Sequence, residues 1–202
     1  EGLNENLTDD SFSSDGTGQL AMYIADKPVN NVKEVNVVLE KVTIHEEEAG
    51  WITLQEFDNN AGEGKFNLLN LRFDEELLGQ KQIPAGTYNQ IRLIVATDEE
   101  NSGQHGAKNY SGKSHVVYDD ESKEGIFIPS GTQTGLKIDH EFTVEDGEVK
   151  QLILDNNVAK IMHEAGNGPN SKIMLRPTAI EIIDKVISGN IAGRIVADTD
   201  SD

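Results

Sequence analysis

The feature that most constrains this chain is a two-residue alternation of apolar and polar side chains, repeated in short bursts. Its clearest instance is Leu136, Ile138, His140, Phe142 and Val144, unbroken over nine positions. Period two is the signature of a β-strand with one face buried. Asp146-Gly147 follows, and then the apolar-rich run Val149 to Leu154. Asp-Gly between two such runs predicts a hairpin with a type I′ turn, which needs positive φ at both central residues.

The same pattern recurs along most of the chain. Leu20, Met22 and Ile24 alternate before Asp26-Lys27-Pro28 ends the run. Val35, Val37 and Leu39 hold one parity, whereas Val42 and Ile44 hold the other, so the slip near Glu40-Lys41 predicts a β-bulge. Trp51, Thr53 and Gln55 begin a return strand after the Glu46–Gly50 turn, and Pro84-Ala85-Gly86 is a turn before the strand Ile91, Leu93, Val95. His115 to Tyr118 and Gly125 to Ile128 read as short paired strands, and Ile173 to Ile183 as a further strand region. Phe73 to Leu78 reads as one helical turn ended by Gly79, and Asn156 to Glu164 as a short helix. The expected fold is therefore all-β: an antiparallel two-sheet sandwich, immunoglobulin-like or Greek-key in type, with one or two short helices. The expected organisation is a polar N-terminal arm over residues 1–17, a sandwich over 18–185, and a C-terminal strand with an acidic tail over 186–202.

Charge narrows the partners. The 202 residues carry 17 Lys and Arg against 36 Asp and Glu, a net charge of −19. Such a surface repels nucleic acid and anionic lipid and attracts cations. Cysteine is absent, which removes disulfides and thiolate chemistry together. No apolar run approaches the roughly 20 residues needed to span a bilayer. The sequence begins at Glu1, and the expectation is a mature chain from which a leader has been removed.

Four segments then carry a resemblance. ADKPVNNVKEVNVVLEKVTIH, FNLLNLRFDEELLGQKQIPAGTYNQIRLIV, IPSGTQTGLKI and LILDNNVAKIM resemble, in order, the landmark segments of the domain of unknown function 4382 family. The likeness runs from about Gly18 to Ile183. It implies an exported or lipid-anchored surface β-domain and brings no enzymatic activity with it. SGNIAGRIVAD resembles the first strand of a further β-domain of the kind that follows in relatives.

No template for catalysis is met. The five histidines form no His-x-x-x-His pair, and there is no Gly-x-Ser-x-Gly elbow or phosphate-binding loop. Asp119-Asp120 and Glu99-Glu100 are adjacent, so on a strand their carboxylates point to opposite faces. The chain reads as a non-enzyme. Calcium is the expected cofactor, because spaced acids in loops supply the oxygens a hard cation needs. The candidate ligands are Asp198, Asp200 and Asp202, then Asp119, Asp120 and Glu121, then Asp98 and Glu100. His45 with Glu46 to Glu48 reads as a solvated turn. Among the aromatics, Tyr110 in the turn-rich 98–113 stretch is the expected exposed ring for a polysaccharide, while Trp51 and Tyr88 read as packed.

The last apolar stretch suggests assembly. Ile187, Ile191, Gly193, Ile195 and Val196 form a strand with no partner following it in the sequence. Donated to a neighbour, that strand would link copies into a homo-oligomer, fibre or surface layer. The expected function is thus a secreted or cell-surface structural protein, self-assembling by exchange of a terminal strand. The alternative is a carbohydrate- or ligand-binding adhesion module of a larger surface protein.

Overall fold

A computed structural model describes residues 16–27, 32–72, 75–96, 113–127, 135–158, 162–165, 172–175 and 180–185. Thirteen strands occur among them: β1 (Thr17–Lys27), β2 (Val32–Glu46), β3 (Gly50–Glu56), β4 (Lys65–Asn67), β5 (Glu76–Pro84), β6 (Gly86–Val95), β7 (His115–Tyr118), β8 (Lys123–Phe127), β9 (Leu136–Val144), β10 (Val149–Asn157), β11 (Met162–Ala165), β12 (Lys172–Leu175) and β13 (Ile180–Asp184). They form two sheets. The smaller runs β13-β10-β1-β5, and the larger runs β11-β12-β8-β7-β2-β6-β9 with β3 and β4 also paired to β2. The expected all-β two-sheet architecture is therefore present. Pairing is antiparallel apart from β1 with β10 and β12 with β8, which are parallel.

The inward parity of each strand builds one core. Leu20, Met22 and Ile24 from β1 and Leu152 and Leu154 from β10 face Val42, Ile44, Ile91 and Leu93 from the larger sheet, all of them buried. Each such side chain contributes about 1.5–3 kcal/mol on leaving water.

β2 is the spine of the larger sheet. Its first half pairs with β7 and β4, and its second half with β6 and β3. The exchange falls at the expected bulge, where the β6 register shifts between Leu39 and Lys41. Backbone groups that lose ladder partners there are met individually. The Val38 amide donates to the Ser114 hydroxyl at 2.9 Å, and the Val38 carbonyl accepts from the Ala96 amide at 2.8 Å. The Leu39 amide donates to the Gly64 carbonyl, and its own carbonyl accepts from the Asn59 side chain, both at 2.8 Å. Buried backbone groups left unpaired would each cost about 1–3 kcal/mol.

The Asp146-Gly147 hairpin expected from sequence does not form. β9 lies in the larger sheet and β10 in the smaller one, so the turn is an arch between sheets. Gly147 has φ 72° but Asp146 does not share a positive φ, which is the type II arrangement rather than type I′. The turn's polar groups go to β1. The Asp146 carboxylate accepts from the Thr17 amide at 3.0 Å, and the Gly147 amide donates to the Thr17 carbonyl at 2.9 Å. Here β1 passes so close to β9 that a Cβ on Gly18 would lie 2.4 Å from the Val144 side chain.

Pro84-Ala85-Gly86 is the second arch, carrying β5 in one sheet to β6 in the other. Buried Tyr88 ties it down by donating its hydroxyl to the Pro84 carbonyl at 2.7 Å. Burial first, then the carboxylate of Glu46, pushes that hydroxyl up to about 12.

The helical turn expected to end at Leu78 is not formed by the residues described there, whereas in the stretch expected to be helical over Asn156 to Glu164 Val158 is helical. Glu76 to Leu78 open β5, Asn156 and Asn157 end β10, and Met162 to Glu164 lie in β11; residues 73–74 and 159–161 lie outside the described set. The 3-10 turns fall instead at Asn59–Ala61 and Leu68–Arg72. The Ile173 to Ile183 region is two strands in different sheets, with Pro177 outside the described residues.

Two outcomes follow. Ser114→Ala leaves the buried Val38 amide without its acceptor, so urea unfolding should show a loss of about 1–3 kcal/mol. Tyr88 binds its proton more tightly folded than unfolded, so its stability contribution is complete below pH 10 and is lost as pH rises toward about 12. The stability difference between wild type and Tyr88→Phe should therefore shrink across that window in urea titrations at stepped pH.

Candidate functional site

The turn between β2 and β3 sets the geometry of the outer sheet face. Glu46 is buried there, and its carboxylate accepts from the backbone amides of Glu48, at 2.9 Å, and Ala49. Glu46 is thus a cap that closes the hairpin, not a solvated acid of a charged turn. The cap fixes His45 opposite Trp51.

Opposed residues on neighbouring strands share a face. The ladders place Trp51, His45, Gln90 and Asp139 in one row across β3, β2, β6 and β9. The next row holds Thr53, Thr43, Arg92 and Lys137. At the usual strand spacing each row is about 14 Å long.

The side chains of this face are linked. The Arg92 guanidinium carbon lies 3.7 Å from the centre of the Trp51 ring. The His45 ring is 4.8 Å from the same indole, tilted by 57°. Its Nδ1–H donates to Asn89 Oδ1 at 2.9 Å. Arg92 Nε–H donates to Gln90 Oε1 at 2.8 Å, and Gln90 Nε2 donates to Asp139 Oδ1 at 2.6 Å. Trp51 nevertheless remains 43% exposed.

The reading of Trp51 as a packed residue is thus overturned, while Tyr88 is packed as expected. The reason is parity. Trp51 starts β3 on the outward phase, and its inward neighbours are Ile52 and buried Leu54. The adjacency of Trp51 to a turn is visible in the sequence, but its phase relative to the core is fixed only by the pairing of β3 with β2.

The other candidates are placed as follows. Asp119, Asp120 and Glu121 form the β7–β8 turn. Asp120 accepts from the Ser122 hydroxyl at 2.5 Å and the Ser122 amide at 2.9 Å, contacts that hold its carboxyl below its ordinary value. Glu121 forms an ion pair with Lys33. Among the described residues no three His, Asp or Glu side chains gather as a metal cage requires. Asp98, Glu100, Tyr110, Ile187, Ile191, Gly193, Ile195, Val196, Asp198, Asp200 and Asp202 all lie outside the described residues.

Sequence reasoning missed two buried polar residues, Asn36 and Ser114. The Asn36 amide donates to Glu34 at 2.8 Å and lies 3.4 Å from His115 Nε2. That hydrogen bond, first among several influences, holds the Glu34 carboxyl below its usual value. The available signal was a lone Asn inside the apolar run Val35 to Leu39.

Compared with known proteins, residues 17–177 match a family model described as Domain of unknown function (DUF4382). No curated protein and no solved structure matches the chain.

Removing the guanidinium by Arg92→Ala should alter the emission of Trp51, the sole tryptophan, while lowering stability by less than about 1 kcal/mol. Fluorescence spectra and urea unfolding of the variant measure both effects.

Proposed function

The chain belongs to the DUF4382 family, and from that premise we propose that it is a non-catalytic recognition domain of an exported, cell-surface protein. The ligand class is carbohydrate, and the binding surface is the outer face of the larger sheet around Trp51. The observation that carries this reading is the indole itself, 43% exposed and held by Arg92. Aromatic rings offer an apolar face to the C–H face of a pyranose, and planar amide, guanidinium and carboxylate groups beside it offer hydrogen bonds to hydroxyls. Gln90, Asp139 and Asn89 provide such groups on strands rather than loops, which limits the ordering cost on binding.

The second reading is self-assembly by donation of a terminal strand. It is favoured by the position of β13, the outermost strand of the smaller sheet in the observed order, with Ile183 40% exposed. The chain continues from there toward Ile187 and Val196. In this reading calcium bridges acidic loops of neighbouring copies.

Because Trp51 is the only tryptophan, intrinsic fluorescence reports on the surface directly. Titration with a panel of neutral and acidic polysaccharides should give a saturable change that disappears in a glycan array with Trp51→Ala. Electron microscopy with calcium and with chelator tests the second reading: fibres lost on deleting residues 186–202 support it, and a monodisperse monomer in every condition removes it.

A further inference from the structure

Two cations are neighbours on the outer face that carries Trp51. Arg92 and Lys137 are direct partners in the β6–β9 ladder, so their side chains emerge from the same face about 5 Å apart at Cβ. Among the described residues no carboxylate lies within ion-pair distance of either. Arg92 and Lys137 are thus two adjacent cations beside an exposed indole.

The guanidinium is also oriented. Its plane is held against Trp51, and its Nε–H is committed to Gln90, whose own amide is fixed by Asp139. Those contacts leave the terminal Nη groups as the available donors. A guanidinium presents its donors as a planar fork that matches the two oxygens of a carboxylate. A fork already held in place loses little freedom on binding.

Resting on the carbohydrate reading above, we infer that this face binds an acidic glycan whose sugar rings carry carboxylates, a uronic-acid polymer. A ring packs on the exposed part of the Trp51 indole, its carboxylate lies on the Arg92 Nη groups, and Lys137 supports the same or the next carboxylate. The rest of the protein sets the limit on the ligand. Its excess of acids opposes polyanions in general, so the fit rests on the local group of Trp51, Arg92 and Lys137, which suits a sugar ring with an apolar face beside its carboxylate.

The test uses the full chain and three probes: an oligogalacturonate, its methyl-esterified form, and a neutral maltooligosaccharide, titrated by calorimetry and by Trp51 fluorescence. Oligogalacturonate should bind, with at least a tenfold preference over its ester. Arg92→Gln should abolish that preference and Arg92→Lys restore only part of it. Lys137→Gln should weaken oligogalacturonate several-fold, and added salt should weaken it while leaving the ester unchanged. Trp51→Ala should reduce binding of both, with melting temperatures of all variants near wild type. Equal, Trp51-dependent affinity for acid and ester overturns the acidic-glycan inference and leaves the carbohydrate reading standing. No binding of any probe, or binding unchanged in Trp51→Ala, overturns both.

Discussion

The structure depends on one long strand changing partners without leaving backbone groups unpaired. β2 spans fifteen residues and no single neighbour follows it along its whole length. Its bulge between Leu39 and Lys41 reverses the parity of buried side chains, so that Val35 and Val37 before it and Val42 and Ile44 after it all reach the core. Ser114, Asn59, Ala96 and Gly64 complete the hydrogen bonding that the bulge interrupts. Without those four, each half of β2 could still pair, but the joint between them would bury unmatched polar groups. The outer row that ends at Trp51 and Asp139 inherits its alignment from the second half of this strand.

Much of this was legible in the residues. Alternation located β1, β2, β6, β7, β9 and β10, and the parity slip located the bulge to the residue, because side-chain period is a local property of the pleat. Pairing was less accessible. Leu136 to Val144 and Val149 to Leu154 carry the same pattern whether they sit side by side or face each other across a core. Asp146-Gly147 fits either a hairpin or an arch, and what decides is Thr17, 129 positions away, which takes the turn's hydrogen bonds. The helical turn expected to end at Leu78 gives way to a strand for a similar reason. Glu76 to Leu78 are adequate in a helical turn, but β1 needs an antiparallel partner and β5 provides it.

The candidate site was less legible than the fold. It consists of single residues on four strands, each polar or aromatic on the outward phase, and nothing local distinguishes them from ordinary solvent-facing positions. Trp51, Arg92, Gln90 and Asp139 become a group only through register, and register is set by the Glu46 cap and the bulges in β2 and β6. Spaced acids, by contrast, are conspicuous in sequence, yet Asp120 and Glu121 are engaged with Ser122 and Lys33 in closing and anchoring a turn.

The parallel contact between β1 and β10 has a bearing on the order of events in folding. A chain emerging from its N-terminus makes β1 early, and for more than a hundred residues β5 is the sole member of the small sheet able to join it. Leu20, Met22 and Ile24 lack the flank that β10 supplies until Leu152 and Leu154 have been made. Contacts of such long sequence separation form slowly, since the intervening loop must close before any of them is gained. The smaller sheet is therefore completed late, and until β10 arrives the edge of β1 that it will cover stays open to any other extended segment.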